Sequence, residues 1–167
     1  MRTQLLLALT WLAVGCARPA APVPDYTAPG GDFRIALPKE PAVEVQGPAT
    51  SYKVADGNMT FIVRRFPCPP EFAGDATPDR LFDKFQEASV QSLQGTLENH
   101  RPVVSGPHPG REFVVHAVTK RTGEPYEMTN RIFRVGPDVY MLHATTPRDE
   151  RSRARALSVL DSFAILK

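Results

Sequence analysis

Short glycine-marked links constrain this chain more than any other feature. Asp56-Gly57-Asn58, Arg121-Thr122-Gly123 and Gly136-Pro137-Asp138 each separate two β-prone runs. An Asp-Gly turn between such runs signals a hairpin. Links this short leave no room for a parallel crossover, so the strands they join must be antiparallel neighbours. The runs are Ser51–Ala55 with Met59–Pro67, then a meander of Arg111–Lys120, Tyr126–Val135 and Val139–Thr145. Asp32–Pro38 alternates apolar with other residues and stops at its proline, which suits a short edge strand. Segment 95–104 reads as an irregular strand leading into the turn at 105–110, and the expected sheet has about six strands. Apolar residues occupy both faces of Met59–Pro67, so that strand should be covered on both sides.

Two helices are expected to supply the cover. Thr77-Pro78-Asp79 has the chemistry of a helix start: Thr77 as cap, Pro78 in the first turn and Asp79 at the positive helix end. The helix should run to about Gln94 and stop at Gly95, with Leu81, Phe82, Phe85, Ala88, Ser89 and Leu93 on its inner side. Thr146-Pro147-Arg148-Asp149 repeats the pattern before a last helix whose inner side is Ala156, Leu157, Leu160, Phe163 and Ala164. An antiparallel sheet flanked by two helices is an α+β domain.

The front of the chain is different in kind. Arg2, the apolar run Leu5–Val14 and the small residues Ala13, Val14 and Gly15 form a secretory signal, too short to cross a bilayer, which takes ~20 helical residues. Cys16 directly after the small residues makes the segment resemble a bacterial lipoprotein signal, although Ala13 stands where Leu is commonest. The resemblance implies removal of residues 1–15 and acylation of Cys16. With ~0.8 kcal/mol per buried methylene, several chains give lasting membrane attachment. Ala17 and Arg18 lack the Asp that inner-membrane retention uses, which favours the periplasmic face of the outer membrane. A chance Cys16 would instead leave a secreted soluble protein. Prolines at 19, 22, 24 and 29 mark a tether that extends at ~3.1 Å per residue. The expected organisation is signal 1–15, lipidated Cys16 and tether 16–31, and one domain over 32–167.

The chain carries 20 Lys and Arg against 18 Asp and Glu, and loss of the signal would remove only Arg2. A nucleic-acid protein would need a strong basic excess, so none is expected as partner. With Cys16 acylated, Cys68 is the remaining thiol and no internal disulfide forms. Two roles stand open for Cys68, a small apolar plug or a thiol that pairs with a partner's.

No motif specifies a reaction. Gly-x-Ser-x-Gly, His-Glu-x-x-His, a phosphate-binding glycine loop and Cys-x-x-Cys are all missing. His116 and His143 fall on strands separated by one meander strand, ~10 Å apart, with no carboxylate partner evident, and His100 and His108 read as ordinary histidines. No metal site and no cofactor is expected. Arg148, Arg151 and Arg155, spaced i, i+3, i+7, form a stripe on the last helix. Together with Lys120 and Arg121, that stripe is the candidate surface for anionic headgroups, cell-wall polymer or an acidic partner. A solvated face explains it equally.

The order of these elements resembles the DcrB-type bacterial lipoproteins, whose domain is of the Mog1/PsbP-like class. The residues that carry the resemblance are the Pro-bounded strand after the tether, the Thr-Pro-started helix, the strand Val135-Gly136-Pro137-Asp138-Val139-Tyr140-Met141-Leu142 and the ending Leu160-Asp161-Ser162-Phe163. The known members of that class are accessory, assembly or envelope proteins, so the resemblance implies a non-catalytic binding role without naming a ligand. The expected protein is a monomer or weak oligomer whose partner is an envelope protein or cell-wall polymer. The resemblance carries over no functional residue. The alternatives are a small-ligand carrier, which needs a roomy apolar pocket, and an envelope hydrolase without a recognisable motif.

Overall fold

The glycine-marked links become hairpins in the computed structural model, which describes residues 25–75 and 77–167. Signal, Cys16 and the front of the tether lie outside the described residues. Gly57 and Gly136 turn two of these links with φ of 60° and 56°, a region that favours residues without Cβ. The first joins β4 (Ala49–Asp56) to β5 (Met59–Pro67), and the second joins β8 (Pro125–Val135) to β9 (Asp138–Pro147). With β3 (Ala42–Gln46), β6 (Thr96–Ser105) and β7 (His108–Val118) they form a seven-stranded antiparallel sheet in the order β3-β4-β5-β9-β8-β7-β6. A second, three-stranded sheet places β2 (Phe33–Ala36) between β1 (Asp25–Thr27) and β10 (Ala164–Ile165). The remaining elements are a short α1 (Pro70–Ala73), α2 (Asp79–Leu93) and α3 (Glu150–Asp161).

Each face of the large sheet has its own apolar cluster. Phe61, Val63, Tyr140, Leu142 and Ala144 meet Phe33 and Ile35 of β2 and Ala156, Val159 and Leu160 of α3. Phe163 closes that cluster, its ring centroid 5.5 Å from Phe33 and 5.7 Å from Phe133. On the opposite face Phe113, Val115, Ile132 and Met141 pack under Leu81 and Phe82 of α2, and Phe66 reaches Phe85. The expected double cover of β5 is present only toward its end: Phe66 packs on the α2 side, while Thr60 and Ile62 are half-buried and Arg64 is exposed. Gly110 allows the close approach of β7 to β8: a Cβ there would lie 2.5 Å from the Ile132 carbonyl oxygen and overlap the Phe133 ring.

Several expectations shift. Seven strands replace about six, because Val43 and Val45 alternate in β3 and pair it with β4. Residues 25–31, assigned to the tether, belong to the fold: β1 pairs with β2, and the Ala28 amide donates to the Phe33 carbonyl at 3.0 Å. The domain therefore begins by Asp25 rather than at 32. Pro78 stands at the cap of α2, outside its first turn, and makes no side-chain cap bond. Thr146 and Pro147 do not start α3. Both remain in the ladder of β9, opposite Glu127 and Tyr126, and Asp149 caps the helix by accepting from the Ser152 amide at 2.8 Å.

Candidate functional site

A half-open groove of about 950 Å³ lies where the C-terminal end of α2 passes the β7–β8 hairpin. Leu93 of α2, Tyr126 and Met128 of β8 and Pro147 of β9 give it an apolar lining, and Lys120 and Arg121 of the hairpin loop also border it. Thr119 and Glu124 hold that loop: the Thr119 amide donates to the Glu124 carbonyl at 2.9 Å, and the Gly123 amide returns to the Thr119 carbonyl at 2.8 Å. Neither Lys120 nor Arg121 pairs with an acid among the described residues. Thr146 also borders the groove, but it stands opposite Glu127 in the ladder, so its buried hydroxyl, which has no hydrogen-bond partner, lies on the α3 side of the sheet.

The groups with displaced pKa values stand elsewhere. His143 is pushed down to about 4 by burial and by Arg64. Its Nδ1 meets Asn130 Oδ1 at 2.5 Å while Asn130 Nδ2 donates to the Met128 carbonyl at 3.1 Å, which assigns the imidazole proton to Nδ1. Burial raises Tyr140 to about 12, and its hydroxyl has no partner. Neither residue lines the groove, and neither faces a nucleophile.

Beside the apolar cluster beneath α3, strands β6, β7 and β8 turn charged side chains toward the helix. Arg153 Nη2 lies 2.5 Å from Glu127 Oε2 and 3.3 Å from Glu98 Oε2. His116 stands beside both acids, its Nε2 2.7 Å from Glu98 and 3.7 Å from Glu127. Four residues farther along β8, Arg131 meets Glu112 at 2.7 Å and Asp161 at 2.5 Å, and Arg101 holds the other Glu112 oxygen at 2.7 Å. The expectation of a histidine without carboxylates is therefore corrected. The β7–β8 register puts Glu127 directly opposite His116, and a bulge between Leu97 and Asn99 turns Glu98 toward both.

The arginine stripe does not form as expected. Arg148 precedes the Asp149 cap and so lies outside α3, while Arg155 is paired with Asp56. Arg151 is exposed. Lys120 and Arg121 belong to the groove. Cys68 is free and half-buried against the α2-side cluster, its amide donating to the Pro137 carbonyl at 2.7 Å. His100 lies 3.1 Å from Gln86, and His108 lies 3.3 Å from the Lys167 carbonyl.

No family model matches the chain, and no curated protein matches it. Solved structures do. Cyanobacterial PsbP from Synechocystis sp. PCC 6803 superposes with a TM-score of 0.63 at 11% identity, over 91% of this chain and 98% of that one. The fold is Mog1/PsbP-like. The Ran-binding protein Mog1p of Saccharomyces cerevisiae gives 0.55 at 12% identity, over 86% and 95% of the two chains. LpqN of Mycobacterium tuberculosis, involved in cell envelope biogenesis, gives 0.51 at 17% identity, over 91% and 88%. A Bacteroides thetaiotaomicron structure is matched over only 48% of its own length. At such identities the likeness shows the fold alone.

Proposed function

We propose that this chain is a lipid-anchored envelope protein, attached through Cys16, whose domain binds a partner rather than transforming a substrate. The observation that carries the reading is the groove: apolar side chains line it, two unpaired cations border it, and none of the displaced titratable groups lies in it. Catalysis calls for perturbed groups gathered in a cleft. The occupant that fits is an apolar segment of an envelope protein flanked by acidic residues, which Lys120 and Arg121 would meet on docking. The LpqN likeness supports an envelope role, and the Mog1p likeness supports a binding role. A half-open groove favours a polypeptide over a small ligand, which carriers bury by 70–90%.

Photo-crosslinking tests the proposal in the anchored protein in its own membrane. A crosslinker at Val118 or Tyr126 should capture a discrete partner, and Lys120→Glu with Arg121→Glu should abolish the adduct. A crosslinker at Glu87, on the outer side of α2, is the control. The same adducts from Glu87, or adducts indifferent to charge reversal, would refute groove docking. Cys16→Ala should release the protein from the membrane, and continued attachment would refute the anchor.

A further inference from the structure

Glu98, His116 and Glu127 come from three successive strands, β6, β7 and β8, and converge under α3, one ligating atom from each within 4.8 Å of the others. His116 Nε2 approaches Glu98 to 2.7 Å, yet it is buried and makes no hydrogen bond. An unprotonated ring nitrogen turned toward two carboxylates sets its lone pair against theirs, which is electrostatically unfavourable unless a cation lies among them. In this structure that cation is the Arg153 guanidinium, which bonds Glu127 and reaches Glu98.

We propose that Glu98, His116 and Glu127 form a site for a divalent transition metal, best matched by zinc, with Arg153 holding the position of the ion until it binds. Zinc takes nitrogen and carboxylate ligands at ~2.0–2.2 Å in a tetrahedron, which sets the ligand atoms ~3.3 Å apart. The 3.7 Å between His116 and Glu127 is close to that spacing, and Glu98 has only to withdraw by ~0.6 Å. Calcium and magnesium take oxygen ligands, so an imidazole at the centre of the set selects against them. Arg153 has somewhere to go. It borders one hollow of about 220 Å³ with Glu98, and another of about 270 Å³ lined by Asp149 and Glu150 at the start of α3. Exchanging one positive charge for two balances both carboxylates. Glu127, 1% exposed, needs that balance from within the protein.

The test is titration of the full-length protein in detergent with Zn²⁺ alone, and with Co²⁺ as a spectroscopic reporter. One equivalent should bind, and Co²⁺ should give the visible absorption of a low-coordinate site. His116→Gln and Glu98→Gln should each weaken binding about tenfold or more, and Arg153→Gln should tighten it by removing the competing cation. Circular dichroism verifies that each variant is folded. Should Arg153→Gln fail to fold, the His116→Gln comparison decides. The proposal is overturned if no zinc binds at concentrations up to about 1 mM, if His116→Gln binds as wild type does, which would place the ion at Cys68 or another histidine, or if folded Arg153→Gln binds no more tightly.

Discussion

Arg131→Met should be among the most damaging single changes in the charged layer. The Arg131 and Glu112 side chains are 8% and 6% exposed and 2.7 Å apart. Removing one partner of a buried ion pair costs about 3–5 kcal/mol, because the other charge is left without water or a counterion. Two features place this case at the lower end of that range. Arg101 still holds one Glu112 oxygen, and Asp161, 65% exposed, recovers water when Arg131 is lost. The expected cost is about 3 kcal/mol, or roughly a 10 °C fall in Tm for a domain of this size. Equilibrium urea unfolding measures it directly. The decisive comparison is Arg131→Met combined with Glu112→Leu, which removes both buried charges and should return stability to within about 1 kcal/mol of wild type. A single-variant cost below about 1 kcal/mol, or a double variant no better than the single, would refute the account of a desolvated pair.

His143 gives the domain a pH dependence. The unfolded chain takes up a proton at His143 as pH falls through 6.5, whereas the folded protein resists until about 4. Between those values the unfolded state holds more protons, so acidification removes stability there, by up to about 3 kcal/mol. His143→Gln should flatten that part of a urea-midpoint profile from pH 7 to 4, and superimposable wild-type and variant profiles would count against the reading. Tyr140→Phe deletes a buried hydroxyl that bonds nothing, so stability should stay within about 1 kcal/mol of wild type or rise. A loss above about 2 kcal/mol on denaturant unfolding would mean that the hydroxyl is satisfied in solution.

Much of the architecture was written in local chemistry. Gly57 and Gly136 favour tight turns between β-prone runs, so the meander and its antiparallel order were readable in advance. Thr146-Pro147 misled because its capping chemistry is genuine, yet pairing with Glu127 and Tyr126 across the ladder outweighs it. β1 was hidden for the opposite reason: its three residues sit in proline-rich sequence, and only the nonlocal contact with β2 makes them a strand. The charged site divides along the same line. Glu127 opposite His116 follows from the hairpin register, whereas Glu98 depends on a bulge and Arg153 on the docking of α3. The groove depends on where α2 ends above the sheet, a tertiary distance that no periodicity encodes.

The layer beneath α3 also works as a vernier. Arg153 and Asp161 stand eight residues apart on the helix, about 12 Å along its axis. Their partners Glu127 and Arg131 stand four residues apart on β8, about 13 Å along the strand. Two rulers with different graduations thus coincide at both marks in one setting. Slipping α3 by a turn, about 5.4 Å, would strand both charges over wrong neighbours, so the helix has a single seat on the sheet even where greasy contacts alone would let it slide.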